Sequence, residues 1–288
     1  MKLTRCVLPG LAIAGVLLVA GCSSLSSMFS SDPRQPPGEA TVAANTDEEV
    51  GKLYNEALTL MNNRDFKKAA AKFEEVERQH PYSSWARRAI LMTAYSNYAR
   101  NAYPEAIGAA QRFIALHPGN EHAAYAYYLI GLSYYEQITD VGRDQEMTER
   151  ALAALEEVVR RFPGTLYAKD AEAKALLARD HLAGKEMEIG RYYLNRHAYV
   201  AAINRFKKVV TDYQQTSHTP EALQRLTEAY MALGIKSEAQ TAAAVLGHNF
   251  PSSEWYEDAY KLIKSDGLEP REDKESWISK AFNTILPF

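Results

Sequence analysis

The chain has 288 residues, a formal net charge of −3 and 47% hydrophobic residues, enough for one large globular domain or two small ones. No stretch concentrates the basic residues that a nucleic-acid binder carries, so nucleic acid is not expected as a partner. The two cysteines, Cys6 and Cys22, both lie near the N-terminus, so the body of the chain makes no internal disulfide and no cysteine-ligated metal site.

The first element is a targeting segment. Lys2 and Arg5 precede an apolar run over residues 7–20, interrupted by Pro9. The run is short of the roughly 20 residues a membrane-spanning helix needs, and it has the flanks of a signal peptide. It ends Leu18-Val19-Ala20-Gly21-Cys22. That order resembles a bacterial lipobox, in which small residues precede a cysteine that is diacylated after cleavage. Residues 1–21 are therefore expected to be removed and Cys22 to carry the lipid anchor, with Ser23 favouring the outer membrane. Residues 22–45 are rich in Ser, then Pro and Gly, and read as a flexible tether.

From about residue 46 the chain repeats itself. Pro81, Pro118, Pro163 and Pro251 are each followed at four residues by Trp85, His122, Tyr167 or Trp255. Ala89, Ala126, Ala171 or Ala259 follows at eight. Gln214, His218 and Ala222 form a fifth copy without the proline. Upstream of each mark, Ala69, Ala106, Ala151, Ala202 and Ala239 start triplets spaced by four and three, which share one helix face. The proline or turn ends that helix. Small residues at these positions let paired helices touch, and a larger one would part them. The pattern resembles the tetratricopeptide repeat. It predicts an all-α fold, an α-solenoid of about five such hairpins over 46–265, at about 48–81, 84–118, 121–163, 166–214 and 217–251. The third repeat carries an insertion at 138–148, the fourth a long first helix at 166–195, and a further helix is expected at about 253–265. A non-repeating bundle would leave the shared phase unexplained.

Residues 266–288 read as a charged linker and an amphipathic helix. Trp277, Ile278, Ala281, Phe282, Ile285 and Leu286 form its stripe, which either caps the solenoid or docks on a partner. No catalytic constellation is recognisable, neither a phosphate-cradling glycine loop nor a paired-His helix nor a nucleophile elbow. An enzyme is not expected, nor any cofactor or metal. The seven histidines are scattered, and His122 and His218 share a repeat position with aromatic residues, which favours packing.

What remains is a surface for binding. The repeat register puts Tyr54, Tyr95, Tyr98, Tyr125, Tyr128 and Tyr135 on the first helices, facing a concave groove or forming the core between repeats. Tyrosine presents a broad ring and a hydroxyl at low entropic cost, which suits peptide recognition. Arg87, Arg88 and Arg100 lie nearby and suit a carboxylate.

Lipobox, tether and five repeats together resemble the YfiO/ComL family of outer-membrane assembly lipoproteins. The likeness rests on His80-Pro81-Tyr82, Ile130-Gly131-Leu132, Arg143-Asp144-Gln145, the run from Arg160 to Tyr167, Tyr192-Tyr193 and Ala202-Ile203-Asn204-Arg205. The Arg143-Asp144-Gln145 insertion is the most discriminating, because generic repeat proteins lack it. The resemblance implies a periplasm-facing lipoprotein of the Bam complex that scaffolds the barrel-forming BamA-type insertase through its periplasmic domains. It also implies contact with the other Bam lipoproteins and with the C-terminal signals of unfolded outer-membrane proteins. Arg205 matches a family arginine tied to the insertase. A pilotin or a cell-envelope coordinating lipoprotein is the alternative.

Overall fold

The computed structural model describes residues 48–285. The signal segment, Cys22, the tether and Leu286 lie outside them. Among the described residues every regular element is a helix. α1 (Glu48–Asn62) pairs with α2 (Phe66–Gln79), α3 (Ser84–Ala99) with α4 (Tyr103–Leu116), and α5 (Ala123–Tyr135) with α6 (Glu146–Arg161). α7 (Leu166–Asn195) pairs with α8 (Tyr199–Asp212), and α9 (Thr219–Ala232) with α10 (Lys236–Asn249). α11 (Glu254–Ser265) and α12 (Trp277–Ile285) follow.

Each helix from α1 to α10 packs on the next in sequence. First helices also touch first helices, α1 with α3, α3 with α5, α5 with α7 and α9 with α11. This is an α-solenoid of tetratricopeptide-like hairpins, with the first helices forming the close-packed layer. The alanine ladder is the seam. Ala69, Ala106, Ala151, Ala202 and Ala239 on the second helices are all at 0% exposure, as are Ala89, Ala126, Ala171, Ala222 and Ala259 on the first helices that follow. A methyl group is the largest side chain that leaves room for helices this near one another. Where the approach is nearer still, glycine is needed. A Cβ on Gly131 of α5 would stand 2.9 Å from Leu155 Cδ2 of α6.

Four of the five hairpins turn the same way. Arg64 (φ 61°), Asn101 (φ 63°), His197 (φ 58°) and Gly234 (φ 74°) adopt the left-handed conformation just after α1, α3, α7 and α9. The next N–H then reaches back to a helix carbonyl, as Ala102 N–H does to Asn97 O at 2.9 Å and Ala198 N–H to Tyr193 O at 3.0 Å. This closure satisfies carbonyls that the helix end would leave open. The prolines have a second use. The residue two places after Pro81, Pro163 and Pro251 is a hydroxyl N-cap, and Ser83, Thr165 and Ser253 accept from Ala86, Ala168 and Trp255 N–H.

The third hairpin is the exception. Residues 136–145 form its long connection, and Glu146, Met147 and Thr148, expected in the insertion, are already the first turn of α6. At the C-terminal end α12 packs on α8 and α10. Ile278 is buried and Phe282 is 8% exposed within the cluster that also holds Phe206, Leu226 and Leu246. Trp277, Ile278 and Phe282 of the amphipathic stripe are thus turned inward as a cap on the last hairpins.

Candidate functional site

The structure divides the expected tyrosine wall in two. Tyr54, Tyr125 and Tyr128 are at 1%, 0% and 0% exposure and belong to the core, not to a groove surface. Each is enclosed by its own repeat and the next. Tyr54 meets Phe73 of α2 at 5.2 Å and Trp85 of α3 at 5.0 Å between ring centroids. Tyr125 and Tyr128 both pack on Tyr167 of α7 at 5.5 Å, and Tyr128 donates its hydroxyl to Asp170. Burial raises the Tyr125 and Tyr167 phenols above the usual range. α5 contains no charged residue from Ala123 to Tyr135, and a helix apolar all round is a buried helix. That signal was present in the sequence.

Tyr95, Tyr98 and Tyr135 are half-buried and keep a surface. Tyr98 donates to Glu136 Oε1 at 3.2 Å and lies 6.1 Å from the Tyr103 ring. Lys174 stands over Tyr135 at 5.8 Å while paired with Asp170 at 2.7 Å. Arg88 is half-buried near the start of α3, and its Nη1 is enclosed without a hydrogen-bond partner among the described residues. Burial holds His122 below its ordinary value, and the charges of Arg88 and Arg87 act in the same direction against the pull of Glu121. Arg88 and Tyr98 are ten residues apart on α3, about 15 Å along the helix. Arg100 is committed elsewhere, donating Nε to Asn97 at 2.9 Å.

A second cluster surrounds Arg205 on α8. Its neighbour Phe206 is at 0% exposure, so Arg205 stands at the edge of the core with its side chain 41% exposed. It donates Nη1 to Glu186 Oε2 of α7 at 3.0 Å, and Lys208 Nζ donates to Glu186 Oε1 at 2.7 Å. Burial alone would raise the Glu186 carboxyl, but the hydrogen bonds from Lys208 and Arg205 outweigh it and hold the group below its ordinary value. The bond to Glu186 in turn raises Lys208. Glu186 was missed from sequence, because a lone Glu inside a long helix carries no spacing signal. The result is a two-cation face on one largely buried carboxylate, positioned before any partner arrives.

The insertion is held by its own glutamine. Gln145 Nε2 donates to the carbonyls of Asp140, Val141 and Arg143 at 3.3, 3.2 and 3.1 Å, and Lys185 of α7 reaches Gly142 O at 3.0 Å. A cavity of about 470 Å³ lies beneath it, lined by residues including Tyr135, Asp180, His181 and His218. Among the described residues no group of three potential ligands is placed to hold a metal ion, and no helix is long and apolar enough to cross a membrane.

A sequence profile for YfiO, described as outer membrane lipoprotein, matches residues 46–246. The chain belongs to the YfiO family. The YfiO match spans every candidate binding residue above and stops before α11 and α12. Curated relatives extend it. The chain is 50% identical over 265 residues to the outer membrane protein assembly factor BamD of Caulobacter vibrioides, covering 91% of this chain and 83% of that one. It is 44% identical to BamD of Rickettsia prowazekii, covering 92% and 99%, and 36% identical to BamD of Neisseria meningitidis serogroup A, covering 74% and 83%.

Proposed function

We propose that this YfiO-family chain is an outer membrane protein assembly factor that works by binding, not by catalysis. The observation that carries the reading is the 50% identity to a protein of that name across 91% of the chain. The shared name of the relatives favours assembly over the pilotin or coordinator role. In this reading Cys22 carries the lipid that holds the chain on the periplasmic side of the outer membrane. The Arg205–Glu186–Lys208 cluster faces the periplasmic domains of the BamA-type insertase, within a complex that includes the other Bam lipoproteins. A paired arginine that is 41% exposed keeps donors for an incoming carboxylate. The surface of Tyr95, Tyr98, Tyr135 and Arg88 receives the C-terminal signal of an unfolded barrel protein. Aromatic rings there suit an aromatic residue, and the half-buried Arg88 guanidinium suits a carboxylate.

Depletion of the chain in its host tests the assignment, with outer-membrane barrel proteins quantified by mass spectrometry. Loss of folded barrels with periplasmic accumulation is expected, and unchanged barrel levels would refute the role. Photocrosslinkers at Tyr98 and Arg88 test the substrate surface with a barrel C-terminal peptide. Crosslinking that fails at both positions would remove it.

A further inference from the structure

The repeats create four equivalent grooves between consecutive second helices, each floored by the first helix between them. One is crossed by an ion pair, one carries an ion pair between floor and wall, and one is filled by a helix. Arg112 of α4 pairs with Glu77 of α2 at 2.8 Å across the first. Arg179 on the floor helix α7 pairs with Glu156 of α6 at 2.5 Å in the third. The fourth, between α8 and α10, is filled by α12. There Trp277 donates Nε1 to the Tyr230 hydroxyl on the floor at 3.1 Å, and Lys207 of α8 covers the indole ring at 4.7 Å. Ser276 Oγ donates to Glu238 of α10 at 2.7 Å, and Asp273 N–H donates to Thr241 Oγ1 at 3.0 Å.

The second groove, between α4 and α6, is an open cavity of about 560 Å³. Counting from the buried alanines places its lining against that of the filled groove. Gln111 takes the place of Lys207, Tyr134 of Tyr230, Arg150 of Glu238 and Ala153 of Thr241, and all four line the cavity. The tyrosine is the same at both sites. Under α12 it is 7% exposed, and in the open groove it is half-buried. Where the first groove has its bridging Glu77 and Arg112, this one has Ile114 and Glu157. Glu157 lines the cavity and pairs with Arg160 and Arg161 of its own helix.

We propose that the α4/α6 groove receives a short amphipathic helix of a partner protein, seated as α12 is seated two repeats later. The floor of Tyr127 and Ile130 takes its apolar stripe, and the Tyr134 hydroxyl takes a donor such as an indole N–H. Arg150 stands where Glu238 does, beside the Tyr134 ring at 5.9 Å; its Nη2 is held by Glu146 at 2.5 Å, and its other N–H groups invert the preference at the helix start. The acceptor that suits a Ser hydroxyl becomes a cation that suits a carboxylate. That inversion points to a partner helix with Asp or Glu at its N-terminal cap. A second copy's α12 offers Ser276 there and already occupies a groove of its own.

The test uses labelled peptides of residues 273–285, unmodified or carrying S276D, titrated by fluorescence anisotropy into the full mature chain in detergent. The S276D peptide should bind about fivefold or more tightly than the unmodified one. Ala153→Trp fills the groove at an exposed position and should weaken binding about tenfold or more with an unchanged melting curve. Arg150→Glu should reverse the preference, so that an S276K peptide binds better than S276D. Absence of saturable binding overturns the proposal, as does binding indifferent to both Ala153→Trp and Arg150→Glu. Self-association of the chain by light scattering, abolished by Ala153→Trp, would overturn it in favour of a second copy.

Discussion

Gly190→Ala tests how closely α7 and α8 are packed. A Cβ at Gly190 would lie 2.8 Å from Phe206 Cδ1 and Cζ and nearer still to Cε1. Carbon contacts are optimal at about 3.5–4.0 Å, so the overlap is about 1 Å. The Phe206 ring is at 0% exposure and has no solvent side into which to withdraw. Overpacking of this kind costs about 1–3 kcal/mol, against about 1 kcal/mol gained from exchanging glycine for alanine in a helix. An overlap of this size against a ring with no room to move belongs in the upper part of that range, about 2–3 kcal/mol, so the net expectation is a loss of about 1–2 kcal/mol, or roughly 2–8 °C in melting temperature for a domain of this size. Gly108 of α4 is the control, since a Cβ there meets nothing within 4 Å. Gly108→Ala should stabilise by about 0.5–1 kcal/mol. Urea and thermal denaturation followed by circular dichroism measure both. A Gly190→Ala chain as stable as the parent, with Gly108→Ala behaving as expected, would refute the close packing.

Glu186→Gln removes the carboxylate shared by Arg205 and Lys208 and should cost about 1–2 kcal/mol after allowance for the exposure of both cations. The Glu186 carboxyl is depressed in the folded state, so its contribution is present above its ordinary value of 4.5 and lost as pH falls through the folded value. Lys208 is raised, so its contribution is complete below its ordinary value of 10.5 and lost as pH rises through the folded value. The gap in melting temperature between parent and Glu186→Gln should therefore be flat near neutrality and close under acid. A gap that widens below pH 4.5 contradicts this. Arg64→Gly relieves a left-handed conformation at φ 61° and should raise stability by about 1 kcal/mol in the same melts. Trp277→Ala removes the bond to Tyr230 and the Lys207 contact, so hydrogen exchange across 277–285 should accelerate while α1–α6 stay protected. Unchanged exchange would show that α12 does not depend on its indole anchor.

The hairpin fold was legible because its seam is made of one residue type at fixed intervals. Alanine at 0% exposure in every repeat leaves a periodic mark, and steric closeness cannot be met by a larger side chain. Chain reversal was half legible. The prolines marked helix ends, but the hydroxyl caps two residues later and the left-handed Arg64 and His197 follow from backbone closure, which periodicity does not encode. The tyrosines show the other limit. Helical spacing assigns a residue to a face and says nothing of how many elements cover that face. Tyr54 is met by Phe73 from its own repeat and Trp85 from the next, so a groove position became core. Tyr98, further along α3, stays half-buried, with its hydroxyl on Glu136 and the Tyr103 ring beside it. Glu186 and the groove under α12 depend on which helices meet across repeats, information held in three dimensions and not in spacing.

In the proposed function, stacked hairpins hold an outer-membrane insertase through the α8 face. Affinity purification from detergent-solubilised membranes, comparing the parent chain with Arg205→Glu, tests it most directly. The parent should bring down a β-barrel insertase, and Arg205→Glu, which sets a carboxylate against Glu186, should recover markedly less at equal chain abundance. Equal recovery from both would contradict the claim.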